Sequence, residues 1–180
     1  DPMPAVTPLA LIVLSETLRP DAGETIEFMR SQGVDLKLIS GDAPQTVTAV
    51  ASAVGVPPNA GVVTGDELPE DRAALARAAE ENTIFCRIRP EQKKALVAAL
   101  ADRGRFVAMI GDGVSDVPAL KRARMAVAMG SGSEITKGSA DIVLLRPDLS
   151  VLERGIGEGR RTFANTLKYI QITTSANFGN

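Results

Sequence analysis

Short apolar runs recur along the chain at Leu9–Leu14, Val34–Ile39, Thr83–Arg87, Phe106–Ile110, Met125–Met129 and Ile142–Leu145, with helix-forming segments between most of them. Helices are expected over 21–32, 44–54, 69–81, 90–102 and 115–122, with a short one between the last two strands. Strands of about five residues alternating with helices of about ten or more predict an α/β fold with a mostly parallel sheet. The punctuation agrees: Gly55 and Pro57-Pro58 stop one helix, and Pro69 suits the first turn of the next. Residues 59–68 are turn-rich and are expected to be irregular. A long helix should start near Asp148 and run past Tyr169.

Composition narrows the chemistry. The 180 residues are 44% hydrophobic and 23% charged, enough for one packed core and too apolar for disorder. The net charge of -2 lacks the basic excess of nucleic-acid binders, so no nucleic-acid partner is expected. The chain has no histidine, which excludes Ser-His-Asp and Cys-His catalysis and every His-ligated metal. Cys86 is the single cysteine, so neither an intrachain disulfide nor a cysteine zinc cluster can form, and a reducing compartment fits. No apolar run is long enough to span a bilayer, and no basic leader marks a signal peptide.

In parallel sheets ligands bind beyond the carboxyl ends of the strands. Two apolar runs end there alike, Leu38-Ile39 in Ser40-Gly41-Asp42 and Met109-Ile110 in Gly111-Asp112-Gly113. Glycine permits a sharp turn, the following helix N-terminus offers free N–H groups to phosphate, and the aspartate is either a metal ligand or a helix cap. Lys93 is the third element. It lies in the first turn of the helix at 90–102, on one stripe with Leu96, Val97 and Leu100. A cation gains nothing from a helix N-terminus, so this lysine needs another reason, unless its stem merely snorkels. Asp116 follows Asp112 by four residues, and two carboxylates at one mouth suit Mg²⁺ shared with a phosphate, although Asp116 could equally serve the helix dipole. Together these residues form a kit for phosphoryl transfer that lacks an evident nucleophile.

The run Gly111-Asp112-Gly113-Val114-Ser115-Asp116-Val117-Pro118-Ala119-Leu120-Lys121 resembles the hinge signature T-G-D-G-x-N-D-x-P-A-L-K of P-type cation-transporting ATPases. Ser40-Gly41-Asp42 resembles their T-G-D, Pro90-Glu91-Gln92-Lys93 their P-x-x-K, and Met129-Gly130-Ser131-Gly132 the stretch that follows the hinge. Glu158-Gly159-Arg160 resembles the segment opening the stalk helix. The resemblance implies a Rossmann-like three-layer domain of the haloacid dehalogenase superfamily, ending in a stalk helix. Residues 1–147 would be the second half of a phosphorylation domain, and 148–180 a stalk helix leading toward a membrane span.

The same resemblance implies roles. Asp112 would ligate Mg²⁺, and Lys93 would hold the phosphoryl group and the nucleophilic aspartate. Ser40 and Gly41 would bind phosphate, Asp42 would support that loop and nearby nucleotide, and Asp116 would anchor the hinge near Lys93. Arg19 stands where the family often has D-P-P-R for nucleotide, but Glu16 replaces its Asp and both prolines are absent. Ser115 replaces the usual Asn. No D-K-T-G-T occurs, so the nucleophile belongs elsewhere in the polypeptide and the chain alone is expected to be inactive. The implied partners are ATP and the nucleotide-binding, actuator and membrane domains, at the cytoplasmic side of the plasma membrane. The connection at 59–82 resembles that of calcium or other light-cation pumps. A soluble phosphatase of the superfamily would need a D-x-D nucleophile, which is absent; a non-catalytic module with the same fold is the other alternative. Thr64-Gly65-Asp66 matches T-G-D more literally, but follows only Val62 and Val63 and reads as the start of a helix. Gly130-Ser131-Gly132-Ser133 reads as a turn with Ser133 as an N-cap, and the Arg160, Arg161, Lys168 side of the last helix suits anionic lipid.

Overall fold

A computed structural model describes residues 9–10, 18–146 and 148–178. The strand expected over Leu9–Leu14 lies largely outside them, as does Glu16. In chain order the elements are α1 (Ala22–Ser31), β1 (Leu38–Ile39), α2 (Pro44–Ala53), β2 (Val62–Thr64), α3 (Arg72–Glu81), β3 (Ile84–Cys86), α4 (Pro90–Asp102), β4 (Ala108–Gly111), α5 (Val117–Leu120), β5 (Met125–Met129), α6 (Glu134–Gly138), β6 (Ile142–Leu144) and α7 (Ser150–Phe178). Every described strand pair is parallel, as the alternation of elements predicts. The strands form two sheets, in the orders β1-β3-β2 and β4-β5-β6. Among the described residues β1 and β4 are thus each at the border of their sheet.

Several local expectations need correction. Residues 59–68 are not irregular: Val62–Thr64 pair in register with Ile84–Cys86, and a 3-10 turn follows at Gly65–Glu67. Two valines suffice because β3 supplies a fully buried ladder beside them. The helix expected from Pro69 starts at Arg72, because the Asp71 carboxylate accepts the Ala74 N–H at 2.8 Å and sets the cap there. The helix expected over 115–122 splits into a 3-10 turn at Val114–Asp116 and the single turn α5. The long helix begins at Ser150, whose N–H donates to Asp148 Oδ1 at 2.8 Å; hydrogen bonds from Ser150 hold that carboxyl below the ordinary range.

β3 explains how the first sheet holds together. Its side chains alternate between faces. Ile84 and Cys86 pack with Val47 and Ala51 of α2 and with Val54 at its end, whereas Phe85 packs with Ala79 of α3 and Leu96 of α4. A strand covered on both faces reads as a continuous apolar run, as Ile84-Phe85-Cys86 does. The second sheet has its own cluster, in which Met109 and Ala126 meet Ala119 and Leu120 of α5 and Val97 of α4. Helix α4 therefore serves both sheets, with Leu96 in one core and its neighbour Val97 in the other. Ion pairs fasten the outer surface: Asp102 at the end of α4 joins Arg72 and Arg122, and Glu80 of α3 joins Arg103 and Arg105.

Leu96 is 1% exposed and lies where the two cores meet, so Leu96→Ala should lower unfolding free energy by about 2–5 kcal/mol in a denaturant titration. The Glu80 pairing has a pH signature. The hydrogen bond from Arg103 lowers the Glu80 carboxyl below its ordinary value, so its stabilisation is present above the ordinary glutamate range and is lost as pH falls through the depressed value. Glu80→Gln should accordingly flatten the acid side of a stability–pH curve and leave its neutral limb unchanged in slope.

Candidate functional site

A cavity of about 440 Å³ opens at the carboxyl ends of β1 and β4. Ile39 and Ser40 line it from the first sheet, Met109 to Asp112 from the second, and Lys93 and Asp116 from the elements between. Arg19, Met129 and Leu149 complete the wall. Ser40, Lys93 and Asp112, which lie in separate parts of the sequence, thus meet at one rim, together with Asp116 and Arg19.

Their environments differ sharply. Lys93 is 9% exposed and Asp116 7%. The Lys93 Nζ donates to Asp116 Oδ1 at 2.7 Å. The other carboxylate oxygen, Oδ2, accepts the backbone N–H groups of Asp112 and Gly113, each at 3.3 Å. Asp116 is therefore filled by a cation on one side and by the turn on the other. Lys93 does not snorkel; it is a buried charge held by a buried partner. This arrangement needs Gly111, because a Cβ there would lie 2.7 Å from the Asp116 Cβ. Asp116 is thus the anchor of the Gly111-Asp112-Gly113 turn. Of the two carboxylates expected at the mouth, Asp116 is thus committed, which leaves one.

That carboxylate is Asp112, which is exposed at the rim. It is not a helix cap: the 3-10 turn begins after Gly113, and among the described residues no hydrogen bond or ion pair engages the Asp112 side chain. Mg²⁺ takes oxygen ligands from one or two carboxylates, substrate phosphate and water, so an uncommitted aspartate at the rim of an open cavity fits its donor set. Among the described residues no group of three or more acidic or sulfur ligands gathers that could enclose a metal by itself. The glycine-rich run after β5 supports Asp112 from behind. Ser133 N–H donates to the Asp112 carbonyl at 3.2 Å, and a Cβ on Gly132 would come within 2.8 Å of that same oxygen. Ser133 caps α6 as expected, accepting the Thr136 N–H.

On the opposite wall the Ser40 hydroxyl donates to Asp42 Oδ2 at 2.7 Å and accepts the Asp42 N–H at 3.1 Å. Asp42 therefore fixes the Ser40 side chain. Gly41 and Asp42 do not line the cavity. Sequence reasoning missed Met129 and Leu149 of the cavity wall, and nothing in their local pattern distinguishes them from core residues. The rival Thr64-Gly65-Asp66 does end a strand, but Thr64 is spent locally: its N–H and hydroxyl both donate to Glu67 Oε2, at 2.8 and 2.9 Å.

The haloacid dehalogenase-like hydrolase family matches residues 4–124. The chain belongs to that family. Its curated relatives are P-type cation ATPases, in agreement with the motifs. It is 48% identical over 160 residues to the calcium-transporting ATPase CtpE of Mycolicibacterium smegmatis, covering 89% of this chain and 20% of the relative. It is 38% identical over 163 residues to the magnesium-transporting ATPase, P-type 1, of Salmonella typhimurium, covering 90% of this chain and 18% of the relative. Among solved structures, a zinc-transporting PIB-type ATPase in the E2.Pi state superposes with a TM-score of 0.66 at 29% identity, over 85% of this chain and 21% of that one. The chain thus spans about a fifth of the length of these relatives. The family's fold accords with the parallel sheets and the long terminal helix.

Removing one member of a buried ion pair strands the other. Asp116→Asn keeps the side-chain shape but leaves Lys93 uncompensated, and should cost about 3–5 kcal/mol of stability in denaturant unfolding. Replacing both residues, as Lys93→Met with Asp116→Leu, should recover part of that loss in a double-mutant cycle.

Proposed function

We propose that this chain is part of an ATP-driven, cation-transporting P-type ATPase, and that it supplies the phosphate and Mg²⁺ ligands for making and hydrolysing an aspartyl phosphate. Residues 1–147 are then the second half of the phosphorylation domain, and 148–180 the stalk helix. The observation that carries this reading is the convergence of Ser40, Lys93 and Asp112 on one cavity between two sheet edges. Both edge strands, β1 and β4, contribute to the cavity wall, and among the described residues neither has a partner on its outer side. A gap between parallel edges suits one more parallel strand, delivered from elsewhere in the polypeptide with the D-K-T-G-T aspartate.

Each residue then has a part. Ser40 presents to phosphoryl oxygens a hydroxyl held in place by Asp42, with Gly41 behind it in the turn. Lys93 offsets their charge from a position fixed by Asp116, so little reorganisation is needed when phosphate arrives. Asp112 would hold Mg²⁺, which when bound neutralises charge on phosphoryl oxygens. Arg19, on the cavity wall, is placed to meet the nucleotide that delivers the phosphoryl group. The names of the calcium and magnesium relatives support a light cation as the transported species, bound in domains this chain does not include. On this reading the domain lies on the cytoplasmic side of a membrane, with the plasma membrane as the setting.

In the complete polypeptide, Asp112→Asn should abolish phosphoenzyme formation from ATP, measured by acid-stable incorporation of labelled phosphate. Wild-type labelling would overturn the metal role. The 180-residue chain assayed alone should hydrolyse no generic phosphoester with Mg²⁺. Magnesium-dependent turnover would show that it carries a nucleophile of its own.

A further inference from the structure

The literal T-G-D, Thr64-Gly65-Asp66, has no part in the cavity, yet its glycine is sterically required. A Cβ on Gly65 would lie 2.4 Å from the Arg87 carbonyl oxygen and 2.9 Å from Gln92 Oε1. Arg87 has φ 51°, the one left-handed non-glycine residue among those described. That conformation is unfavourable for a side chain with a Cβ and persists only where surrounding contacts enforce it. The contacts are visible on both sides of the kink. Arg87 N–H donates to the Asp42 carbonyl at 3.0 Å, and Ile88 N–H to the Ser40 carbonyl at 2.9 Å. Gln92 closes the other side: its amide nitrogen donates to the Gly65 carbonyl at 2.8 Å, while its Oε1 accepts the Arg89 N–H at 3.0 Å.

We propose that Gln92, the bare backbone of Gly65 and the kink at Arg87 form a clamp that positions Lys93 against Ser40. One end of the clamp holds the Ser40–Asp42 loop through the kink. The other holds the first turn of α4, where Gln92 precedes Lys93 directly. Neither Gln92 nor Gly65 lines the cavity, so both act through Lys93 and Ser40 as positioning residues. Gln92 is suited because it needs a donor and an acceptor on one planar group. Glutamate keeps the shape and the acceptor but has no donor for the Gly65 carbonyl. The inference rests on the phosphoryl-transfer role of Lys93 and Ser40 given above.

The test uses the complete pump, with Gln92→Glu, Gln92→Ala and, as a separate control, Lys93→Ala. For the two Gln92 variants, kcat should fall roughly 10-fold or more with KM for ATP within about twofold, because a misplaced catalytic group costs rate rather than substrate binding. Inhibition by orthovanadate, a mimic of the transferring phosphoryl group, should weaken by roughly 5- to 10-fold in parallel, because the same two groups bind it. The melting temperature should stay within about 2 °C for Gln92→Glu, which preserves packing. Wild-type kcat and vanadate inhibition in Gln92→Glu would overturn the clamp. So would a collapse of melting temperature in both variants, which would make Gln92 a fold-holding residue only. Lys93→Ala separates the two levels: if it retains wild-type turnover, the phosphoryl-transfer reading itself fails, whatever the Gln92 variants do.

Discussion

A buried lysine is costly unless a carboxylate shares its burial, and the Lys93–Asp116 pair is the point on which the site's geometry turns. The pair does more than neutralise itself. Asp116 uses its second oxygen to gather the N–H groups of Asp112 and Gly113, so the position of an exposed aspartate is set by a buried one. Lys93 belongs to α4, the helix that serves both cores through Leu96 and Val97. One ion pair therefore ties the turn after β4 to the helix that joins the two sheets. A protein stabilised by apolar packing alone would have no need of it, since a buried pair is often no better than hydrophobic residues of similar volume. Its retention makes sense as a means of placing charge at a rim.

The two aspartates of the Gly111–Asp116 segment illustrate how environment divides labour between identical groups. They are four residues apart and lie on the same cavity, yet one is sealed by three donors and the other has none among the described residues. The sealed carboxylate cannot change partners without exposing a buried ammonium. The open one keeps both oxygens available at the rim. Gly111 and Gly132 make this possible by omission, since a side chain at either would occupy the space of Asp116 or of the Asp112 carbonyl. The same logic recurs behind the opposite wall, where Asp42 holds Ser40 and Gly65 makes room for the Arg87 carbonyl.

What was legible in the sequence follows from which forces act locally. Lys93 stood out because a charge on an apolar stripe contradicts its surroundings, and the structure puts it on the cavity wall in a buried ion pair. Asp112 and Ser40 were legible because strand, glycine and acid occur in unbroken order. The parallel sheets followed from the alternation of apolar runs with helical segments. Strand β2 was not legible, because Val62–Thr64 is too short and too exposed to show a period, and only pairing with the buried β3 makes it a strand. The division into two sheets depends on which edges find partners, a long-range matter that local pattern does not encode. The full commitment of Asp116 was hidden because an acid in a first turn already has a local explanation. The kink at Arg87 left no trace, since no glycine or asparagine announces it.

The long helix α7 closes the physical account. Its first turns pack on α1, and Arg160 reaches the C-terminal end of that helix through the Gln32 side chain and carbonyl. Beyond that tether Phe163, Leu167, Tyr169, Ile170 and Ile172 are all exposed. At 29 residues the helix is about 43 Å long, so much of it extends past the packed body. Helical stability in proteins comes mainly from tertiary packing, and the described residues supply none to this distal half. Phe163, Leu167 and Ile170 fall at helical spacing on one stripe, which marks a surface that gains by being covered. Among the described residues no helix is long and apolar enough to cross a membrane. Arg160 thus joins α7 to the end of α1 through Gln32, and the apolar stripe beyond that tether has no packing partner among the described residues.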